Sequence, residues 1–176
     1  ALKILSDTLM SKHTNLKAMV VFNDGDNRKD RFKEAGKTGG VYYSENNDPV
    51  ALAKFISNAM HKGGGGDCPE NNIEATIKGI ESCSDCDDII MIADNFATPR
   101  DTKLIEQVSK PIHWILCGFG ECVNPEYLDL IRANKGFGHT FHSDFYGLES
   151  LRNGDSVEID GVNYQLSDGK FRIRAR

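Results

Sequence analysis

The chain has 176 residues, 39% of them hydrophobic, and a formal net charge of -5. That length suffices for one domain with a sizeable core, and the acidic balance favours solubility over nucleic acid as a partner. The longest apolar runs are strand-sized, far short of the ~20 residues that cross a bilayer, so no membrane span is expected.

Leu2, Leu5, Leu9 and Met10 fall near helical spacing with charged residues between them, which predicts a helix over residues 2–13. Residues 18–22 (Ala-Met-Val-Val-Phe) form a continuous apolar run that ends in Asn-Asp-Gly-Asp, the pattern of a buried strand entering a loop. A short strand is expected over residues 39–43. Asp48-Pro49 then gives a helix start that carries Leu52, Phe55, Ile56 and Met60. Gly63-Gly64-Gly65-Gly66 reads as a loop. The helix after it has Ile73, Ile77 and Ile80 as its apolar stripe. Residues 88–94 (Asp-Ile-Ile-Met-Ile-Ala-Asp) read as the clearest strand, covered on both faces. A helix over 99–108, a strand over 111–117, a helix over 125–133 and a short strand over 138–142 complete the series.

Alternating apolar strands and amphipathic helices predict an α/β fold: a doubly wound, mostly parallel sheet with helices on both faces. The tail reads differently. Asp160-Gly161 and Ser167-Asp168-Gly169 punctuate three short alternating runs, which predicts an antiparallel β-meander. Residues 1–145 are therefore assigned to the α/β body and residues 146–176 to a C-terminal appendage. In the last strand Lys170, Arg172, Arg174 and Arg176 alternate with Phe171, Ile173 and Ala175. Period two puts the cations on one face, as on an edge strand protected by charge.

Five cysteines are present: Cys68, Cys83, Cys86, Cys117 and Cys122. The odd number argues against a complete disulfide framework. Cys117 closes an apolar run and reads as a buried core thiol. Cys83 and Cys86 form a Cys-x-x-Cys, but a zinc site needs two further ligands at workable spacing, and a thioredoxin-like pair should open a helix rather than close one. Incidental loop cysteines is the preferred reading.

The order of these segments resembles the von Willebrand factor A-like family. The run Gly63-Gly64-Gly65-Gly66-Asp67-Cys68-Pro69-Glu70 is similar to that family's glycine-rich loop. Ile89-Ile90-Met91-Ile92-Ala93-Asp94-Asn95 resembles its apolar strand ending in an acid. The segments around 111–120, 124–128 and 138–141 resemble its next strand, helix and last strand, and residues 18–24 resemble its second strand. The resemblance covers roughly residues 1–142. It implies a module that binds a protein ligand at the strand C-terminal edge, often through a bridging metal.

Two parts of the family pattern are missing: the first strand and its Asp-x-Ser-x-Ser metal motif. Without a central strand, two neighbouring ladders would lie unpaired, at ~1–3 kcal/mol per buried unpaired group. The absent initiator Met fits an expectation that residues precede Ala1. Asp94 stands at the position of the family's acidic metal residue, and Asp67 stands at or beside the loop threonine. Two carboxylates suit a hard cation, but Asp67 before Pro-Glu equally suits a helix N-cap. The chain alone is expected to hold no cofactor. Mg²⁺ or Mn²⁺ would enter only with an upstream Asp-x-Ser-x-Ser segment. Asp24 and Asp26 read as solvated loop acids. His139 and His142, three apart on a strand, face opposite ways and share no metal.

No nucleophile elbow and no phosphate-binding loop of the Walker type is present, and no catalytic residue is assigned. The expected function is non-enzymatic: a protein-interaction module for adhesion or assembly, with a protein ligand and no nucleic acid. The alternatives are a thiol-dependent hydrolase or redox enzyme using Cys68 or Cys83/Cys86, with His113 or His139 as base for Cys68, and a structural domain of a larger assembly.

Overall fold

The computed structural model describes residues 16–23, 25, 29, 32–62, 68–118 and 122–174. The helix expected over 2–13 and the glycine loop 63–66 lie outside the described residues, as do Asp24, Asp26 and Asp67.

The first strands are β1 (Met19–Phe22) and β2 (Val41–Ser44), followed by α1 (Pro49–Met60), α2 (Asn72–Ser82) and β3 (Ile89–Asp94). A 3-10 segment, Thr102–Gln107, leads to β4 (Ile112–Cys117), α3 (Pro125–Asn134), β5 (Phe137–His139) and β6 (Asp144–Phe145). The chain closes with β7 (Ser156–Ile159), β8 (Val162–Ser167) and β9 (Lys170–Ile173).

Helix starts follow local chemistry. Asp48 caps α1 by accepting from the Ala51 amide at 2.8 Å, with Pro49 in the first turn. Asn124 caps α3 by accepting from the Glu126 amide at 3.1 Å, again with proline next. At its other end α3 stops on Lys135 in the left-handed region, φ 56°. Gly136 then passes so close to β4 that a Cβ there would lie 2.3 Å from the Ile112 carbonyl oxygen.

The expected single doubly wound sheet with helices on both faces is not what forms. The strands divide into three sheets. The first is the antiparallel pair β1–β2. The second has the order β3-β4-β5-β6 and is mixed: β3, β4 and β5 run parallel and β6 returns antiparallel. The third is the antiparallel meander β7-β8-β9. The break falls between β1 and β3. Each of those strands has one partner and one edge without a ladder among the described residues. The tight return into β6 is made by Thr140, whose hydroxyl accepts from the Ser143 amide at 3.0 Å and ends β5 early.

Two local expectations also need correction. Residues 99–108 were expected to be a helix but give only the 3-10 segment, which has no side-chain cap of its own. The acid in position to cap it, Asp101, instead accepts from the Glu74 amide of α2 at 2.6 Å. Cys117 is exposed rather than buried. The alternation along β4 buries Ile112, Trp114 and Leu116 and turns Cys117 out at the strand end.

The main buried cluster joins Met91 and Ala93 of β3, Ile112, Trp114 and Leu116 of β4, and Tyr127, Leu128 and Ile131 of α3 to Tyr164, Leu166 and Phe171 of the meander. The Tyr164 hydroxyl accepts from the Val123 amide at 2.6 Å and donates to the Val123 carbonyl at 3.0 Å. The Phe171 amide donates to Asp129 of α3 at 2.9 Å. These bonds fix the meander against α3.

Candidate functional site

β1 and β3, each with one edge unpaired among the described residues, line one cleft of about 800 Å³. Residues 16–22 form one part of its wall and residues 87–94 another. Its floor is one face of α2, where Ala75, Thr76 and Gly79 present small side chains or none. The amphipathic pattern of the helix explains that floor: Ile73 turns into the main core, and Gly79 lets the helix lie close to β1, where a Cβ would sit 3.4 Å from Val20.

Both walls begin at the same end. Lys17, just before β1, pairs with Asp85, just before β3, at 3.1 Å. That pairing holds the Asp85 carboxyl below the usual carboxylate range through a hydrogen bond from Lys17 and its charge. Lys110, at the same end, donates to the carbonyls of Ser84 and Cys86. Asp87 and Asp88 also line this end, and Asp88 lies 3.8 Å from His113.

At the far end, Asp94 closes β3. Its exposed carboxylate accepts from the Phe96 amide at 3.0 Å, which shapes the loop after the strand. Tyr127 reaches this end from α3. Its phenol is pushed upward by burial first and then by the charge of Asp94. The Asn72 side-chain amide donates to the Tyr127 hydroxyl at 3.4 Å, while its buried Oδ1 has no donor among the described residues.

A polar cluster behind α2 holds this geometry. Asn71 donates to the Gly39 carbonyl at 2.8 Å, and the Glu74 carboxylate accepts from the amides of Thr38 and Gly39. Asp101, fully buried, secures the first turn of α2 through Glu74, and burial raises its carboxyl to about 6. The loop after β2's partner strand, the helix that floors the cleft and the segment after β3 are thus tied together.

Of the two sequence-assigned metal residues, Asp94 sits at the cleft rim and Asp67 lies outside the described residues. Among the described residues no group of three or more His, Cys, Asp or Glu side chains is placed to hold a metal ion. Cys83 and Cys86, read as incidental loop cysteines, are joined in a disulfide that closes α2 and lines the cleft. Cys68 is exposed, at the cleft lining. The histidines considered as its bases have other neighbours: His139 bonds Asp144 at 2.7 Å, and His113 stacks on Phe137 with ring centroids 4.8 Å apart.

Sequence reasoning missed Asp101, Asn72 and Gly79. A signal existed only for Gly79, a glycine inside a helical stripe, which marks a close approach. No helix among the described residues is long and apolar enough to cross a membrane. No protein-family model, curated protein or solved structure matches the chain.

Proposed function

We propose that the chain is a non-enzymatic protein-interaction module and that the cleft between β1 and β3 is its contact surface. The observation that carries this reading is the cleft itself, mostly apolar and lined by two strands that each have one edge unpaired among the described residues. Free edges are templates for another chain, and proteins ordinarily cover, shorten or charge them. One outer strand of the meander, β9, is charged in that way, with Lys170 and Arg172, and Arg174 follows it. The facing edges of β1 and β3 carry Met19-Val20-Val21-Phe22 and Ile89-Ile90-Met91-Ile92. The reading rests on this arrangement, not on the von Willebrand resemblance.

The test is selection of random linear peptides on the immobilised protein, with a counter-screen on Gly79→Leu. Leucine is favoured over glycine in a helix by up to about 1 kcal/mol, and its side chain would project from the floor beside Val20. Ligands that bind the wild type and are lost on the variant support the reading. Ligands that bind both equally, or no ligand at all, contradict it.

A further inference from the structure

We infer that the cleft takes an extended segment of another polypeptide, four to six residues long, which adds as a strand between β1 and β3 and hydrogen-bonds both. The inference rests on the interaction reading above and names its partner's chemistry. Four observations support it.

First, the two walls are strands, so each presents a row of alternating N–H and C=O groups along an edge that is unpaired among the described residues. A small apolar molecule would fill the volume and leave both rows unpaired, at ~1–3 kcal/mol per buried group. A strand pairs them. Second, the segments leading into both walls meet at the Lys17–Asp85 pair, 3.1 Å apart, so a segment entering at that end starts beside both. The six residues of β3 extend about 20 Å, which sets the length of the occupant. Third, the part of α2 that lines the cleft carries the small residues Ala75, Thr76 and Gly79, which suits alternate side chains of an occupant pointing toward the helix. Fourth, the ends of the cleft are acidic. Asp87 and Asp88 stand at one end and Asp94 at the other, while both lysines at the near end are already engaged. An apolar centre with a basic residue at each end complements this distribution. This is the strand-addition mode of peptide recognition, with two edges engaged instead of one.

The probe is the capped heptapeptide acetyl-Lys-Val-Ile-Val-Ile-Val-Lys-amide, too short to form a helix in water. Its affinity is measured by calorimetry for the wild type, Gly79→Leu and Ile90→Lys, with thermal melts to show that each variant is folded. Single N-methyl groups are then placed on each interior amide of the peptide. In a strand held on both sides, successive amides donate to opposite walls. Binding in the micromolar range is expected, with a loss of tenfold or more on both variants and on N-methylation at every interior position. If only alternate N-methyl groups matter, one edge alone is engaged and the two-edge inference is overturned. If none matters, the groove recognises side chains and the strand is overturned. In both cases the interaction reading stands. If the heptapeptide fails to bind while selected peptides bind in a cleft-dependent manner, the strand is again overturned and the interaction reading stands. If nothing binds in the cleft, both fall.

Discussion

The C-terminal meander and the β1–β3 region use the same material, short strands rich in branched and aromatic residues, and reach opposite outcomes. In the meander, the turns at Asp160-Gly161 and Asp168-Gly169 hold φ near 52° and 76° at both positions of each pair. Left-handed pairs of this kind match strand twist and fix register locally. Strict alternation then buries Ile159, Tyr164, Leu166 and Phe171 against α3. In the β1–β3 region no tight turn connects the two strands, and each has an edge that is unpaired among the described residues. All four residues of β1 are only half-buried. A meander is specified by neighbours in sequence, whereas the β1 and β3 edges are specified by whatever lies between them.

The largest effect that bears on this contrast is expected in the meander core. Phe171→Ala removes a ring with 3% exposure and should cost about 3–5 kcal/mol, as buried aromatic truncations do. Val20→Ala in β1 should cost about 1 kcal/mol or less, because Val20 is partly exposed. Urea melts of both variants check the ordering, and equal losses would break the comparison.

Asp101 should give a pH-dependent effect. Its folded value of about 6 lies above the ordinary 3.8, so the folded state holds the proton more tightly than the unfolded chain. Its contribution is fully present below about pH 4 and is lost as the pH rises through about 6. Asp101→Asn stays neutral. The stability of the wild type relative to this variant should therefore fall by on the order of 3 kcal/mol between about pH 4 and pH 7. A difference that does not change with pH would show that the acid is not desolvated behind α2.

A smaller effect is expected at the first hairpin turn. Gly161→Ala places a Cβ at φ 76° in open space, so only the backbone penalty of about 1–2 kcal/mol applies. The smallest concerns β9. Lys170 pairs with Asp129 at 3.2 Å, whereas Arg172 is exposed beside Ile173, which is itself 48% exposed. Replacing Arg172 and Arg174 with Gln should shift stability by no more than about 0.5 kcal/mol and raise self-association in sedimentation runs, since the charge protects that edge.

What was legible in the sequence was local. Asp48-Pro49 announced one helix, and the two Asp-Gly turns announced the meander, because capping and turn chemistry act within a few residues. The partition into three sheets was not legible. Runs such as Ile89-Ile90-Met91-Ile92 look the same whether one edge is paired or two, and pairing is decided by distant chain. Asp101 was invisible as a cap because the amide that it holds lies 27 residues earlier, at Glu74. The spacing of Cys83 and Cys86 was visible but their bond was not. The outward turn of Cys117 depends on where β4 stops. Asp94 was singled out as a metal residue, and its position at the cleft rim followed from the end of its strand.

The most direct measurement is amide hydrogen exchange along β3, residue by residue, with and without the heptapeptide. In the free protein, the amides that face β4 should be protected, and the alternate amides, facing the cleft, should exchange within about tenfold of unstructured chain. Adding the peptide should slow that second set, together with the cleft-facing amides of β1, by tenfold or more. Full protection of every β3 amide in the free protein, or a second set that the bound peptide does not slow, would contradict the account.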